Sequence, residues 1–126
     1  MSSRNLELGR RGEELAVGHL EAQGYHILKQ NFKNSLGEID IIAKDKDTVC
    51  FIEVKTRATL DKGLPQEAIN PHKQRKLSQV ALSFLKSKRL LDSRARFDIV
   101  SVLCSPTEEK VEIIKDAFPL CERYSY

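Results

Sequence analysis

The sequence predicts an α/β (α+β) domain with elements in the order α-β-β-β-α-β-β, a central mixed sheet flanked by helices. Three observations predict it. Two segments of helical period, one near the start and one in the middle, bracket apolar runs of strand length. Short polar turns separate those runs. No linker, repeat or low-complexity segment interrupts the 126 residues, so the chain reads as one domain, 1–126, long enough to bury a core without disulfides.

From about Asn5 to Gln23 the positions Leu8, Gly12, Leu15, Ala16 and Leu20 fall on one stripe, and Gly24 supplies the stop. "YHILKQNF" reads as a first strand, "KNSLG" as a turn, "EIDIIA" as a second strand, "KDKD" as a turn and "TVCFIEVK" as a third. "TRATLDKGLPQEAIN" has no period and holds Gly63 and Pro65, so it reads mainly as loop. Asn70 suits an N-cap and Pro71 the first helical position of a second helix running to about Lys88, with Leu77, Val80, Ala81, Phe84 and Leu85 at helical spacing. "ARFDIVSVLC" is a fourth strand, "SPTEEK" a turn and "KVEIIKDAF" a fifth strand.

Composition removes several function classes. No apolar run approaches the roughly 18 residues of a membrane span. The opening "MSSRNLELGRRGEE" is too polar for a signal peptide, so a cytoplasmic protein with no membrane partner is expected. Cys50, Cys104 and Cys121 form no CxxC pair, which argues against thiolate zinc and a disulfide framework; Cys50 and Cys104 are expected to be buried small hydrophobes. His19, His26 and His72 lack ligand spacing, and with no P-loop or GxGxxG no nucleotide cofactor is expected.

The net charge is only +3, but eight Lys/Arg and one acid, Asp92, lie between His72 and Arg96. That segment suggests an anionic partner, most simply nucleic acid; a solvated helix face is the bland alternative. Lys73, Arg75 and Lys76 crowd the start of the second helix, the end where the helix dipole favours acids.

The strand-like segments pose a further question, because "GEIDIIAKDKDTVCFIEVK" carries Glu38, Asp40, Glu53 and Lys55. Carboxylates and lysines are seldom fully buried unless paired or bound to a metal. Alternation turns Glu38, Asp40 and Ile42 one way and Ile39, Ile41 and Ala43 the other; Phe51, Glu53 and Lys55 share a face. If the two strands pair through the short turn, Asp40 lies opposite Glu53 and Lys55, which are about 7 Å apart along the strand. Converging carboxylates repel each other unless a cation lies between them. A hard divalent ion resolves that conflict, Mg²⁺ (or Mn²⁺) being the natural choice, and with a nearby ammonium it suits phosphodiester hydrolysis. A salt-bridged polar face is the alternative, since acid–x–Lys triplets are common in exposed strands.

Asp40 followed by "IEVK" at Glu53 and Lys55 resembles the PD-(D/E)xK nuclease signature. More closely, "GRRGEELAVGHLEAQGY", "GEIDIIA", "FIEVKTR", "HKQRKL", "RFDIV" and "DAF" together resemble the YraN-like family of small bacterial proteins, over nearly the whole chain. That family is itself uncharacterised and is regarded as distantly similar to archaeal Holliday junction resolvases, so the resemblance implies a restriction-endonuclease-like core. It implies Asp40 and Glu53 as metal ligands, Lys55 as the catalytic lysine assisting the attacking water, and Glu13 on the first helix completing the metal site. Glu38 is a candidate supporting acid, and Gln74 stands where related nucleases carry a polar residue reaching the site. Ile39 replaces the proline of the signature's name. Asp98 matches the family pattern and is expected to serve in structural hydrogen bonding.

The expected activity is a Mg²⁺- or Mn²⁺-dependent DNA endonuclease, with Arg57 and the basic residues Lys73, Arg75 and Lys76 along the phosphate backbone. Recognition by DNA shape or branching is expected, and a homodimer would suit a two-fold junction. Two other readings stay open: a non-catalytic nucleic-acid-binding module on the same fold, and a scaffold whose acids and lysine merely pair.

Overall fold

Seven elements follow the expected order: α1 (Ser3–Ala22), β1 (His26–Asn34), β2 (Gly37–Asp45), β3 (Thr48–Arg57), α2 (Pro71–Ser87), β4 (Arg94–Cys104) and β5 (Glu109–Phe118). They are seen in a computed structural model that describes residues 3–59 and 69–120, with side chains from residue 6 onward. Most of the expected loop after β3 and Cys121 lie outside the described residues. The strands form one mixed sheet in the order β1-β2-β3-β4-β5. Neighbours are antiparallel except β3 and β4, which run parallel from Thr48↔Arg94 to Arg57↔Leu103. A parallel pair needs a crossover, and α2 lies within it.

Each helix covers one face of the sheet. On α1 the residues Gly12, Ala16 and Leu20 are buried, one turn apart, and Leu15 and Val17 flank them. Ala16 and Leu20 pack with Ile41, Ala43, Cys50, Ile52, Val100 and Val102. On the opposite face Leu77, Val80, Ala81, Phe84 and Leu85 of α2 pack with Ile39, Ile42, Val49, Phe51, Phe97 and Ile99. All five phenylalanines join in this second layer, Phe32 and Phe51 edge-on to Phe84 and Phe97 stacked on Phe118 at 4.5 Å between centroids.

Two local features set how the helices dock. Gly12 lies against the Thr56 side chain, so a Cβ there would overlap Oγ1, Cγ2 and Cβ of that threonine. Gly12→Ala is therefore expected to destabilise by roughly 1–3 kcal/mol, and Thr56→Ala to restore part of the loss, as read from urea midpoints. At the start of α2, Asn70 Oδ1 accepts the main-chain N–H of Lys73 at 2.9 Å, with Pro71 in the first turn. Asn70→Ala should cost about 1 kcal/mol in the same measurement.

A buried polar cluster ties β2, β4 and β5 together. Asp98 is fully buried and accepts from Tyr25 Oη at 2.9 Å, Arg96 Nε at 2.9 Å, Arg96 Nη2 at 3.2 Å and the Asp116 main-chain N–H at 3.0 Å. Arg96 also reaches Asp45 at 2.7 Å, and Lys115 joins Asp45 at 3.3 Å. The expected hydrogen-bonding role of Asp98 is thus filled by four donors. Arg96, counted in the basic segment, corrects that reading: its charge is spent inside the fold.

Cys104 also departs from expectation. Cys50 is buried, and burial pushes its thiol up to about 12, whereas Cys104 ends β4 and is only half-buried. Among the described residues no helix is long and apolar enough to cross a membrane.

Candidate active site

The site forms where two neighbouring strands part. The β2–β3 ladder runs from Asp45↔Thr48 to Ile41↔Ile52 and stops there. Beyond that rung β2 continues against β1 to Gly37↔Asn34, and β3 continues against β4. The next residues on the two sides of the gap are Asp40 and Glu53. Asp40 takes the place of the missing rung: its Oδ2 accepts the main-chain N–H of Val54 at 2.8 Å.

Strict alternation along β2 fails at this point. Ile41 and Ala43 belong to the α1 layer, but Ile39 joins Ile42 in the α2 layer, so the expected grouping of Ile39 with Ile41 and Ala43 does not hold. The reason lies in the neighbouring strand. Between the pairs Gln30↔Ile41 and Phe32↔Ile39 stands Asn31, with φ of 52°, a left-handed conformation that asparagine adopts more readily than most residues. Such a residue interrupts the pleat, and the change of face falls at Asp40.

Along β3 the alternation holds. Val49 and Phe51 face α2 while Cys50 and Ile52 face α1, so Glu53, Lys55 and Arg57 continue the α2 face. Glu53 is only 7% exposed. From the first turn of α2, Lys73 brings its Nζ to 3.6 Å from Glu53 Oε2. The capped first turn holds this lysine's backbone in place.

Burial and mutual repulsion dominate the electrostatics. Burial, then the Asp40 charge, pushes the Glu53 carboxyl up to about 7, against the opposing pull of Lys73 and Lys55. Asp40 is raised above the usual carboxylate range by burial, although the Val54 N–H and Lys55 oppose the shift. Lys55 is lowered, first by burial and then by the neighbouring Lys73 ammonium. Glu13 is raised by partial burial and by Asp40, while a hydrogen bond from Asn31 opposes this.

The structure therefore gathers Asp40, Glu53, Lys55 and Lys73, with Glu13 and Glu38 near enough for their charges to be felt. Glu13 comes from the helix on the other face and is engaged by Asn31. Among the described residues no three of His, Cys, Asp and Glu draw together as a metal-holding group. Two carboxylates that repel each other still suit a hydrated Mg²⁺, which needs one or two carboxylates and keeps several waters. The donor set fits that ion through Asp40 and Glu53; Glu13 is not gathered with them into one ligand set. Glu38 is exposed on β2. Gln74 donates its Nε2 to the Ile69 carbonyl at 3.1 Å, so its amide nitrogen serves the entry to α2. Arg75 and Lys76 are exposed on α2, Arg57 ends β3 half-buried, and Lys73 is turned onto Glu53.

Two contributors escaped the sequence. Asn31 gave no signal beyond being a poor strand residue in a strand. The approach of Lys73 to Glu53 had one indirect sign, a lysine placed at the unfavourable end of a helix.

Comparison with known proteins places this geometry in context. A family model described as "Uncharacterised protein family UPF0102" matches residues 12–102, a span that holds every candidate site residue. A UPF0102 protein of Syntrophus aciditrophicus is 48% identical over 118 residues, covering 94% of this chain and 93% of that protein. One from Geobacter metallireducens is 47% identical over 120 residues, covering 95% and 98%. Among solved structures, Pyrococcus furiosus SfsA in complex with Ca²⁺ is similar at 16% identity and a TM-score of 0.40, over 88% of this chain and 62% of that one. A likeness of that size carries no argument.

Proposed function

The chain belongs to the uncharacterised protein family UPF0102, the YraN-like family, and from that premise we propose that it is a metal-dependent endonuclease acting on DNA phosphodiester bonds. One observation carries the reading: Asp40 and Glu53 meet across the gap between β2 and β3, both raised by burial, with two lysines beside them.

A Mg²⁺ or Mn²⁺ ion held by Asp40 and Glu53 would supply Lewis-acid neutralisation of phosphate charge and a more acidic attacking water. The chain's own groups supply the rest. The Val54 N–H orients the Asp40 carboxylate, leaving Oδ1 for a further ligand. Lys55 Nζ, its pKa lowered by burial and by Lys73, is suited to take a proton from the attacking water or to donate to a phosphoryl oxygen. Arg75 and Lys76 lie exposed for phosphate contacts. Phosphate contacts position DNA without reading its sequence, so selection rests on shape, with branched or junction DNA from repair or recombination as the substrate class.

The test is incubation of the protein with labelled linear, flapped and four-way-branched DNA in Mg²⁺ or Mn²⁺. Wild type should cut the branched forms, and Asp40→Asn should not; equal cutting by both proteins would remove the proposed site. The second reading, a non-catalytic nucleic-acid-binding module, is favoured by the Lys73–Glu53 ion pair, which pairs the buried acid without any metal. It predicts binding that weakens steeply with salt and no turnover.

A further inference from the structure

Lys73 is hard to explain by helix stability. It sits in the first turn of α2, where the helix dipole disfavours a cation and no acid is present. Its long side chain also gives up rotamer freedom to reach Glu53. What it meets there is a carboxylate whose side chain is 9% exposed, and Lys73 is that acid's ion-pair partner among the described residues. With both carboxyls ionised, Asp40 and Glu53 are matched in number by Lys55 and Lys73, and Lys73 is the cation in contact with Glu53.

The contact is nevertheless loose. At 3.6 Å the Nζ–Oε2 separation is longer than a charge-assisted hydrogen bond, and the lysine side chain is 41% exposed. It can leave Glu53 for solvent without disturbing the core. A divalent cation bound at Glu53 beside an unmoved Lys73 would stand within a few ångströms of the ammonium, a repulsive like-charge contact.

Taking Asp40 and Glu53 as the metal ligands, we propose that Lys73 is an exchangeable internal counter-ion, occupying Glu53 until a divalent cation displaces it and then pairing with a substrate phosphate. The same side chain thereby couples the two binding events. Phosphate draws Lys73 away from Glu53 and so tightens cation binding, and by reciprocity the cation tightens DNA binding by the same factor. A lysine used only as a phosphate contact would not affect cation affinity without DNA.

The experiment is titration of Mn²⁺ into metal-free wild type, Lys73→Gln, Lys73→Arg and Glu53→Gln, by calorimetry, with and without a branched duplex built with non-hydrolysable linkages. Lys73→Gln is expected to bind Mn²⁺ roughly fivefold more tightly than wild type without DNA. Duplex should tighten Mn²⁺ binding in wild type and have little effect in Lys73→Gln. Lys73→Arg, which keeps the competing charge, should stay close to wild type. If wild type binds Mn²⁺ and Lys73→Gln binds no more tightly, the counter-ion proposal falls while the metal site stands. If neither protein binds Mn²⁺, or Glu53→Gln binds as well as wild type, the metal reading falls and takes the proposal with it.

Discussion

Glu53→Gln is expected to abolish cleavage and, in metal-free protein at pH 8, to raise the thermal midpoint. The first effect follows from losing one of two carboxylates that would hold the cation, a deficit on the order of 1,000-fold by comparison with other charge-stabilising groups. The second follows from linkage. Burial beside Asp40 raises the Glu53 carboxyl from 4.5 to about 7, so between those values the native state binds more protons than the unfolded one. Stability from this group is therefore complete below its unfolded value and falls as pH rises toward 7. Above that, the ionised carboxylate costs roughly 3 kcal/mol. Glutamine cannot ionise and avoids the loss, so its midpoint should exceed that of wild type by about 5 °C or more at pH 8, and the gap should close near pH 4. Adding Mg²⁺ should lift wild type at pH 8 and leave Glu53→Gln in place, because only a native-state ligand raises the midpoint. Melting curves in chelator and in Mg²⁺ at three pH values decide it. A Glu53→Gln midpoint below wild type at pH 8 would mean that the Lys73 ion pair outweighs the cost of burying the charge.

Asp98→Ala is expected to be among the most destabilising single changes in the core, by about 3–5 kcal/mol. The substitution strips an acceptor from Tyr25, from the Arg96 guanidinium and from the Asp116 N–H at once, and leaves Arg96 with Asp45 as its remaining carboxylate. A domain stability of about 5–15 kcal/mol leaves little after such a loss. Tyr25→Phe, which removes the hydrogen bond Tyr25 Oη donates to Asp98 and the one it accepts from Arg96 Nη2, should cost only about 1–2 kcal/mol. Urea denaturation of the two variants measures both. Neither loss should depend on divalent ions, because Asp45, the cluster's member on β2, lies five residues along the strand from Asp40. An Asp98→Ala loss under about 1 kcal/mol would show that water replaces the carboxylate.

These two acids differ in how far their roles could be read in advance. Glu53 announced itself because a carboxylate flanked by Phe51, Ile52 and Val54 has no cheap burial in an apolar strand. Asp98 sits in an equally apolar run, yet its partners Tyr25 and Asp116 are far from it in sequence, and a spacing rule cannot bring them together. Basic residues show the same division. Lys73, Arg75, Lys76 and Arg96 looked alike as one run of charge, but Arg96 is committed to Asp98 and Asp45, whereas Lys73 reaches Glu53 by a loose contact.

By itself the sequence determined the order of seven elements, the apolar stripes of α1 and α2, the Asn70 cap and the shared face of Glu53 and Lys55. Each of these depends on periods of 2 or 3.6 residues or on a cap, interactions confined to one turn or one strand. Tertiary structure decided the parting of β2 and β3 after Ile41↔Ile52, the change of face at Asp40 opposite Asn31, and which lysine meets which acid. Those depend on strand register and helix docking, which place residues distant in the chain within a few ångströms of each other. Carboxylates were thus marked for a site by their cost in a strand, and the gap that joins them across it exists only once the sheet has formed.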